Sequence, residues 1–131
     1  MRNLFEAAAE GDWDLVRSRL DSHEEEAKDI HPTTNQTLLH VLCKDANAPE
    51  DVFDRVLTIF PEGCKIQDKI YSTTPLHVLC WNSQRSVSRV HRLLQVMDSE
   101  DLLIRNRFGG TVSLCLIVLF CRFECTILVL L

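Results

Sequence analysis

Thr74-Pro75-Leu76-His77-Val78-Leu79-Cys80 repeats, with a single exchange, the stretch Thr37-Leu38-Leu39-His40-Val41-Leu42-Cys43 that lies 37 residues before it. Adding 37 once more reaches Thr111, behind Gly109-Gly110. A recurring offset of this size marks copies of one supersecondary unit, each too small to bury its apolar face without a neighbour. The physics of the heptad is local. Threonine is a favoured helix N-cap, because its hydroxyl accepts from a backbone N–H that the first turn leaves unpaired. Pro75 then occupies the first helical position, where its missing N–H costs nothing and its fixed φ suits the helix. Leu76, Leu79 and Cys80 follow at i, i+3 and i+4, one apolar face, and Leu39, Leu42 and Cys43 repeat it.

A second helix is expected in each unit. Val52, Phe53, Val56, Leu57 and Phe60 form one stripe, opened by Pro49-Glu50-Asp51 and closed by Pro61. Val87, Val90, Leu93 and Leu94 form the matching stripe of the next unit. Short helix, loop, longer helix and polar turn make up the repeating pattern.

Thr74-Pro75-Leu76-His77 resembles the signature of the ankyrin-repeat family, whose period is near 33 residues. The opening stretch Leu4-Phe5-Glu6-Ala7-Ala8-Ala9-Glu10-Gly11-Asp12-Trp13-Asp14-Leu15-Val16 is similar to an ankyrin unit that lacks its first turn, as a capping unit would. The resemblance covers residues 2 to about 108. It implies an all-α, ankyrin-like helical-repeat solenoid of about four helix-turn-helix units, in one domain, at about 2–35, 36–72, 73–109 and 110–131. It also implies that Thr37 with His40, and Thr74 with His77, hydrogen-bond turn to helix. Three departures stand out. The period is longer, and Asp45-Ala46-Asn47-Ala48-Pro49 reads as an enlarged loop between helices. Leu42-Cys43 and Leu79-Cys80 stand where the family favours small residues. The turn Asp68-Lys69-Ile70-Tyr71-Ser72-Thr73 lacks a glycine, which places its tight geometry in question.

From Thr111 the chain changes character, with Val112 to Cys121 unbroken by charge, then Arg122-Phe123-Glu124, then Cys125 to Leu131. Three readings stand. A degenerate last unit would put helices at about 112–120 and 124–131. A membrane-inserted tail would want about 20 apolar residues, and Arg122 and Glu124 would each cost roughly 2.5–3.5 kcal/mol near its centre. The third is an end incomplete relative to a longer array, because a terminal unit normally carries a polar outer face.

With 131 residues, 46% hydrophobic and 25% charged, the composition is that of one globular domain. Residues 1–35 hold four Lys/Arg and nine Asp/Glu, so the whole net charge of −5 resides there. That distribution argues against nucleic acid, which calls for a concentrated basic surface. No basic leader precedes an apolar run at the N-terminus, so the six cysteines are read as reduced and the location as intracellular, cytoplasmic or nuclear, with membrane association through 111–131 as the alternative. The Glu24-Glu25-Glu26 run reads as a solvated loop or helix end.

Catalytic and metal readings are weak. His40 with Cys43 and His77 with Cys80 offer zinc-type donors, but their positions belong to the helix start and the packed stripe. A thiol hydrolase would need an activated thiolate beside a base, and no nucleophile turn is present. Gly109-Gly110-Thr111 has no lysine behind it to make a phosphate loop. No enzyme activity, metal or cofactor is expected. Arg85, Arg89 and Arg92 share one helix face, read as solvated or as a basic strip for an acidic partner, including the acidic end of a second copy.

The family resemblance implies a protein–protein interaction module or scaffold that binds through turn tips and the concave face of the first helices. The tip positions are Thr33, Thr34 and Asn35; Lys69, Ile70, Tyr71 and Ser72; and Arg107 and Phe108. Lys44, Asp45, Trp81 and Asn82 would edge the concave side. Tyr71, Trp81 and Phe108 are the expected anchors, since aromatics commonly dominate interface energetics, with Ser72 and Asn82 beside them. Packing between units is the competing role for all three rings.

Overall fold

The computed structural model describes residues 3–82 and 87–114. The described chain is mostly helical, and no β-strand occurs in it beyond two isolated bridges, Ile30 with Thr37 and Arg105 with Thr111. Six α-helices come in pairs: α1 (Leu4–Glu10) with α2 (Trp13–Ser22), α3 (Leu38–Lys44) with α4 (Glu50–Ile59), and α5 (Pro75–Trp81) with α6 (Val87–Val96). Each pair is followed by a 3₁₀ turn, at Glu24–Lys28, Pro61–Lys65 and Asp101–Leu103. The short helices have seven residues and the long ones ten, and α2, α4 and α6 begin 37 residues apart.

The ends of the helices follow from their capping residues. Asn3 accepts from the Glu6 N–H at 2.8 Å while the Glu6 carboxylate accepts from the Asn3 N–H, and Gly11, at φ 77°, closes α1 in the left-handed conformation. Asp12 caps α2 through the Leu15 N–H. Thr74 caps α5 through the His77 N–H at 3.4 Å, with Pro75 behind it.

α3 packs between α1 and α5, and α4 contacts both α2 and α6. Ala7, Ala8, Leu38, Leu39, Leu42, Cys43, Leu76 and Leu79 are buried along the short helices, and Val16, Leu20, Val52, Phe53, Val56, Val90 and Leu93 along the long ones. Ion pairs stitch the long helices together on the outside: Arg17 to Asp51 at 3.0 Å, Arg55 to Asp21 at 2.7 Å and Arg92 to Asp54 at 2.5 Å. Partly exposed pairs like these contribute little each, typically about 0.2–1 kcal/mol.

Two expectations need correction. The apolar face of α6 is Val90 and Leu93, with Leu94 half-buried against the core and Met97 just beyond the helix, whereas Val87 is 55% exposed. Arg89 does not lie on a solvated face but is 2% exposed. Its guanidinium donates to the carbonyls of Leu42 (2.8 Å), Asp45 (2.9 Å) and Ala48, pairs with Glu50 at 3.0 Å, and has its Cζ 5.6 Å from the centre of the Phe53 ring. It fills the enlarged loop between α3 and α4 and satisfies carbonyls that the loop leaves without helical partners. The Glu24–Glu26 run is the solvated helix end expected of it, a 3₁₀ turn with Glu24 and Glu25 exposed; Glu26 binds Arg19 and is held, by that bond first of all, below the ordinary carboxylate range.

Helical backbone is taken up again at residues 112–114. The degenerate last unit and the membrane tail fall almost wholly at 115–131, and Arg85 at 83–86, outside the described residues. Among the described residues no helix is long and apolar enough to cross a membrane.

Candidate functional site

The turns that precede α3, α5 and residue 112 are built alike. His31 donates its N–H to the Gln36 carbonyl, Asp68 to Thr73 and Asn106 to Gly110, at 2.8–2.9 Å. The side chain of the same residue then organises each loop. His31 Nδ1 accepts from the N–H groups of Thr33 and Thr34. Asp68 accepts from the N–H of Tyr71 and Thr73 and from the Thr73 hydroxyl, and Asn106 from the N–H of Phe108 and Gly110. Burial works against the Asp68 carboxylate, but these donors hold its pKa below the usual range. One position in each turn has positive φ: Asn35 at 59°, Ser72 at 55° and Gly109 at 80°. The middle turn closes without glycine because Ser72 takes up that conformation.

Successive turns are joined to one another. The Lys69 N–H donates to the Thr34 carbonyl at 2.8 Å and the Arg107 N–H to Tyr71 at 2.7 Å. The Asn35 amide donates to the Gln67 carbonyl, and the Gln67 amide reaches both Ser72 and Arg105.

Beneath the turns lie the two buried histidines. His40 Nδ1 accepts from the Thr37 N–H at 3.0 Å with the Thr37 hydroxyl at the same distance, and Nε2–H donates to the Thr73 carbonyl at 2.8 Å. His77 does likewise with Thr74 (3.1 and 2.9 Å) and the Gly110 carbonyl (3.1 Å). Since a backbone N–H can only donate and a carbonyl only accept, both rings are the neutral tautomer with the proton on Nε2. Burial lowers both histidine pKa values, more than the carbonyl bonds raise them. The expected Thr–His links are present, and each histidine also spans to the next turn. Both nitrogens of His40 and of His77 are thereby engaged. Cys43 is fully buried with its thiol pushed strongly up, and burial lifts Cys64 to about 11.

Above the histidines the surface is different. Tyr71, Trp81 and Phe108 are 46%, 49% and 72% exposed, yet Trp81 and Phe108 both touch Tyr71. The Tyr71 and Trp81 rings meet edge to face, centroids 6.1 Å apart, and Tyr71 and Phe108 lie 5.9 Å apart at a tilt of 31°. Tyr71 and Trp81 also line a groove of about 430 Å³ with Ile70, Val78, Gln36 and Lys44, open to solvent over the short helices. A second hollow of about 380 Å³ continues past Lys44 to Ala8 and Ala9 of α1.

The chain matches no protein-family model and no curated protein. Function has to be read from the residues themselves. Of the expected contact residues, three rings form one cluster, which the sequence reading treated as separate positions. The signal was available for two of them, because Tyr71 and Phe108 are 37 residues apart and so occupy the same place in successive turns. Ser72 is half-buried and serves the turn backbone. The Asn82 amide donates to the carbonyls of Cys43 and Lys44 at 3.2 Å, closing the C-terminal end of α3. Arg89 was placed on the outside by its helical spacing, although its phase in the repeat is that of Leu15 and Val52, both packed in the interior.

Proposed function

We propose that this chain is a protein-binding module of ankyrin-like, stacked-repeat construction that holds a partner along the groove between its turn tips and its short helices. The observation that carries the reading is the cluster of Tyr71, Trp81 and Phe108: two large rings, Trp81 and Phe108, each against the Tyr71 ring, and all three at least 46% exposed. A side chain of this size left in water forgoes roughly 1.5–3 kcal/mol of burial. Three together form the kind of apolar patch that interfaces use as a centre. The turns beneath are fixed by hydrogen bonds to backbone and to one another, so the rings are presented from an ordered base and little entropy is lost on binding. Recurrence of cap, histidine bridge and positive-φ position along the chain supports the stacked-repeat construction, and the all-helical composition fits it.

The test is a photo-crosslinking residue in place of Trp81 in the full chain, irradiated in cell extract. A discrete protein adduct is expected, and the same residue in place of Thr58, exposed on α4, should give none. Adducts of equal yield at both positions, or none at Trp81, would remove the groove as the binding surface.

A further inference from the structure

Exposed cations stand beside the groove, whose own lining holds Lys44 and the buried Asp68. Residues 30–44, 66–82 and 104–114, which make up the three turns and the short helices α3 and α5, hold four cations, Lys44, Lys69, Arg105 and Arg107, against the single carboxylate of Asp68, while Asp45, next after α3, lines the adjoining hollow. Asp68 is buried and bonded within its own turn. The chain's net charge is nevertheless −5, and among the described residues its other carboxylates stand mainly on the first helix pair, on the long helices and in or beside their 3₁₀ turns. Several of those on the long helices are matched by arginines. Arg17, Arg55, Arg89 and Arg92 all face carboxylates across the long helices. Lys44, Lys69 and Arg107 are exposed, and among the described residues none of their side chains meets a carboxylate. Lys44 lines the groove beside Trp81, Lys69 precedes Ile70 and Tyr71, and Arg107 is tied by its N–H to the Tyr71 carbonyl while its neighbour Phe108 leans on the Tyr71 ring. An apolar floor of aromatic rings thus has a rim of cations that meet no carboxylate among the described residues.

From this we infer that the partner is an acidic protein segment that places an aromatic or large aliphatic side chain against Tyr71 and Trp81 and its carboxylates toward Lys44, Lys69 and Arg107. The inference rests on the binding-module reading above and adds the chemistry of the partner. It also moves the basic surface. The strip expected at Arg85, Arg89 and Arg92 cannot serve, since Arg89 is buried and Arg92 is paired with Asp54. Rim charges chiefly speed encounter and reject like-charged competitors, while the buried apolar anchor sets the lifetime of the complex. Affinity should therefore fall with salt mainly through the association rate. A nucleic-acid strand is disfavoured because so few cations stand on a strongly acidic chain.

The test is a random 12-residue peptide library displayed on phage and panned on the full chain at low salt, with winners measured by fluorescence anisotropy. The expected winners are net acidic with at least one large apolar residue. They should lose tenfold or more in affinity against Lys44→Glu/Lys69→Glu/Arg107→Glu and against Tyr71→Ala/Trp81→Ala. Both variants should keep the helical circular dichroism of the parent, since the replaced side chains are exposed. Winners that are neutral or basic, or that ignore the charge reversal while still needing Tyr71 and Trp81, would overturn the acidic partner and leave the binding surface standing. Winners that ignore Tyr71 and Trp81, or no winners, would overturn both. Tighter binding of a dT12 oligonucleotide than of any winner, lost on charge reversal, would assign the rim to nucleic acid instead.

Discussion

Tyr71 and Thr73 stand two residues apart in one turn, yet their groups face opposite sides of it. The Thr73 carbonyl accepts from His40 and its hydroxyl donates to Asp68, all three residues buried. The Tyr71 ring lies outside, against Trp81 and Phe108, nearly half exposed. The inner side of each turn is committed to holding one helix pair to the next. The outer side is free of that duty and carries the aromatic and basic residues. The difference teaches that stability and recognition are separable here at a spacing of two residues, and mutations on either side should show it.

The largest effect is expected on the committed side, at Arg89. Replacing it with methionine keeps most of the volume but strips donors from the carbonyls of Leu42, Asp45 and Ala48. A loss of about 3 kcal/mol or more is expected, because buried acceptors lose a charged donor and Glu50 its partner. Urea denaturation followed by circular dichroism measures it. A loss under about 1 kcal/mol would mean that water replaces the guanidinium and that the loop does not depend on it.

His77→Ala comes next, at about 1–3 kcal/mol, since it orphans the Gly110 carbonyl and the Thr74 N–H. The histidines also set a pH dependence. Their folded pKa values lie below the unfolded value of about 6.5. Their contribution is therefore complete above about 6.5 and is lost as pH falls below it, because the unfolded chain takes up protons that the folded one does not. The charged and titratable neighbours that act on them are Asp68, which favours protonation, and each other, which opposes it at His40. Denaturant midpoints should fall between pH 7.5 and 5.5, and the fall should flatten in His40→Gln/His77→Gln. An unchanged slope in that variant would show that the rings protonate without cost.

A smaller effect, of opposite sign, is expected at Ser72→Gly. Ser72 holds φ at 55°, where a Cβ is crowded and glycine is not, and Gly109 occupies the equivalent place in the next turn. Relief of that crowding, of order 1 kcal/mol, exceeds the entropy that glycine adds to the unfolded chain. A raised melting temperature is the expected result. A lowered one would mean that the half-buried Ser72 side chain holds the turn by contacts that glycine lacks.

These contrasts also mark what the sequence made legible. Helix starts, the Thr–His links and the period were readable because caps and hydrogen bonds over three residues are local. Arg89 was misread because helical spacing shows only which residues share a face. It says nothing of the carbonyls that the loop at Asp45–Ala48 presents to that face. The aromatic cluster was half legible. The period joins Tyr71 to Phe108, but only the packing of α5 under the turn brings Trp81 to Tyr71. The pairing of long-helix arginines, and with it the absence of carboxylates beside Lys44, Lys69 and Arg107 among the described residues, depends on the relative placement of separate helices and has no local signal.

The smallest stability effect belongs to Tyr71→Ala, and it tests the comparison most directly. The ring rests on Trp81 and Phe108, which are themselves exposed, so deleting it opens no cavity in the core. The backbone bonds of residue 71, its N–H to Asp68 and its carbonyl to Arg107, survive the substitution. The change in unfolding free energy should stay within about 0.5 kcal/mol, as for surface positions generally, since the rings it leaves behind are already exposed to water. Partner binding should fall by tenfold or more, since an anchor at the centre of an interface commonly costs over 1 kcal/mol when truncated. A melting curve shifted as far as that of His77→Ala would place Tyr71 on the committed side of the turn and erase the distinction. Unchanged stability with unchanged binding would keep the distinction and move the contact surface elsewhere.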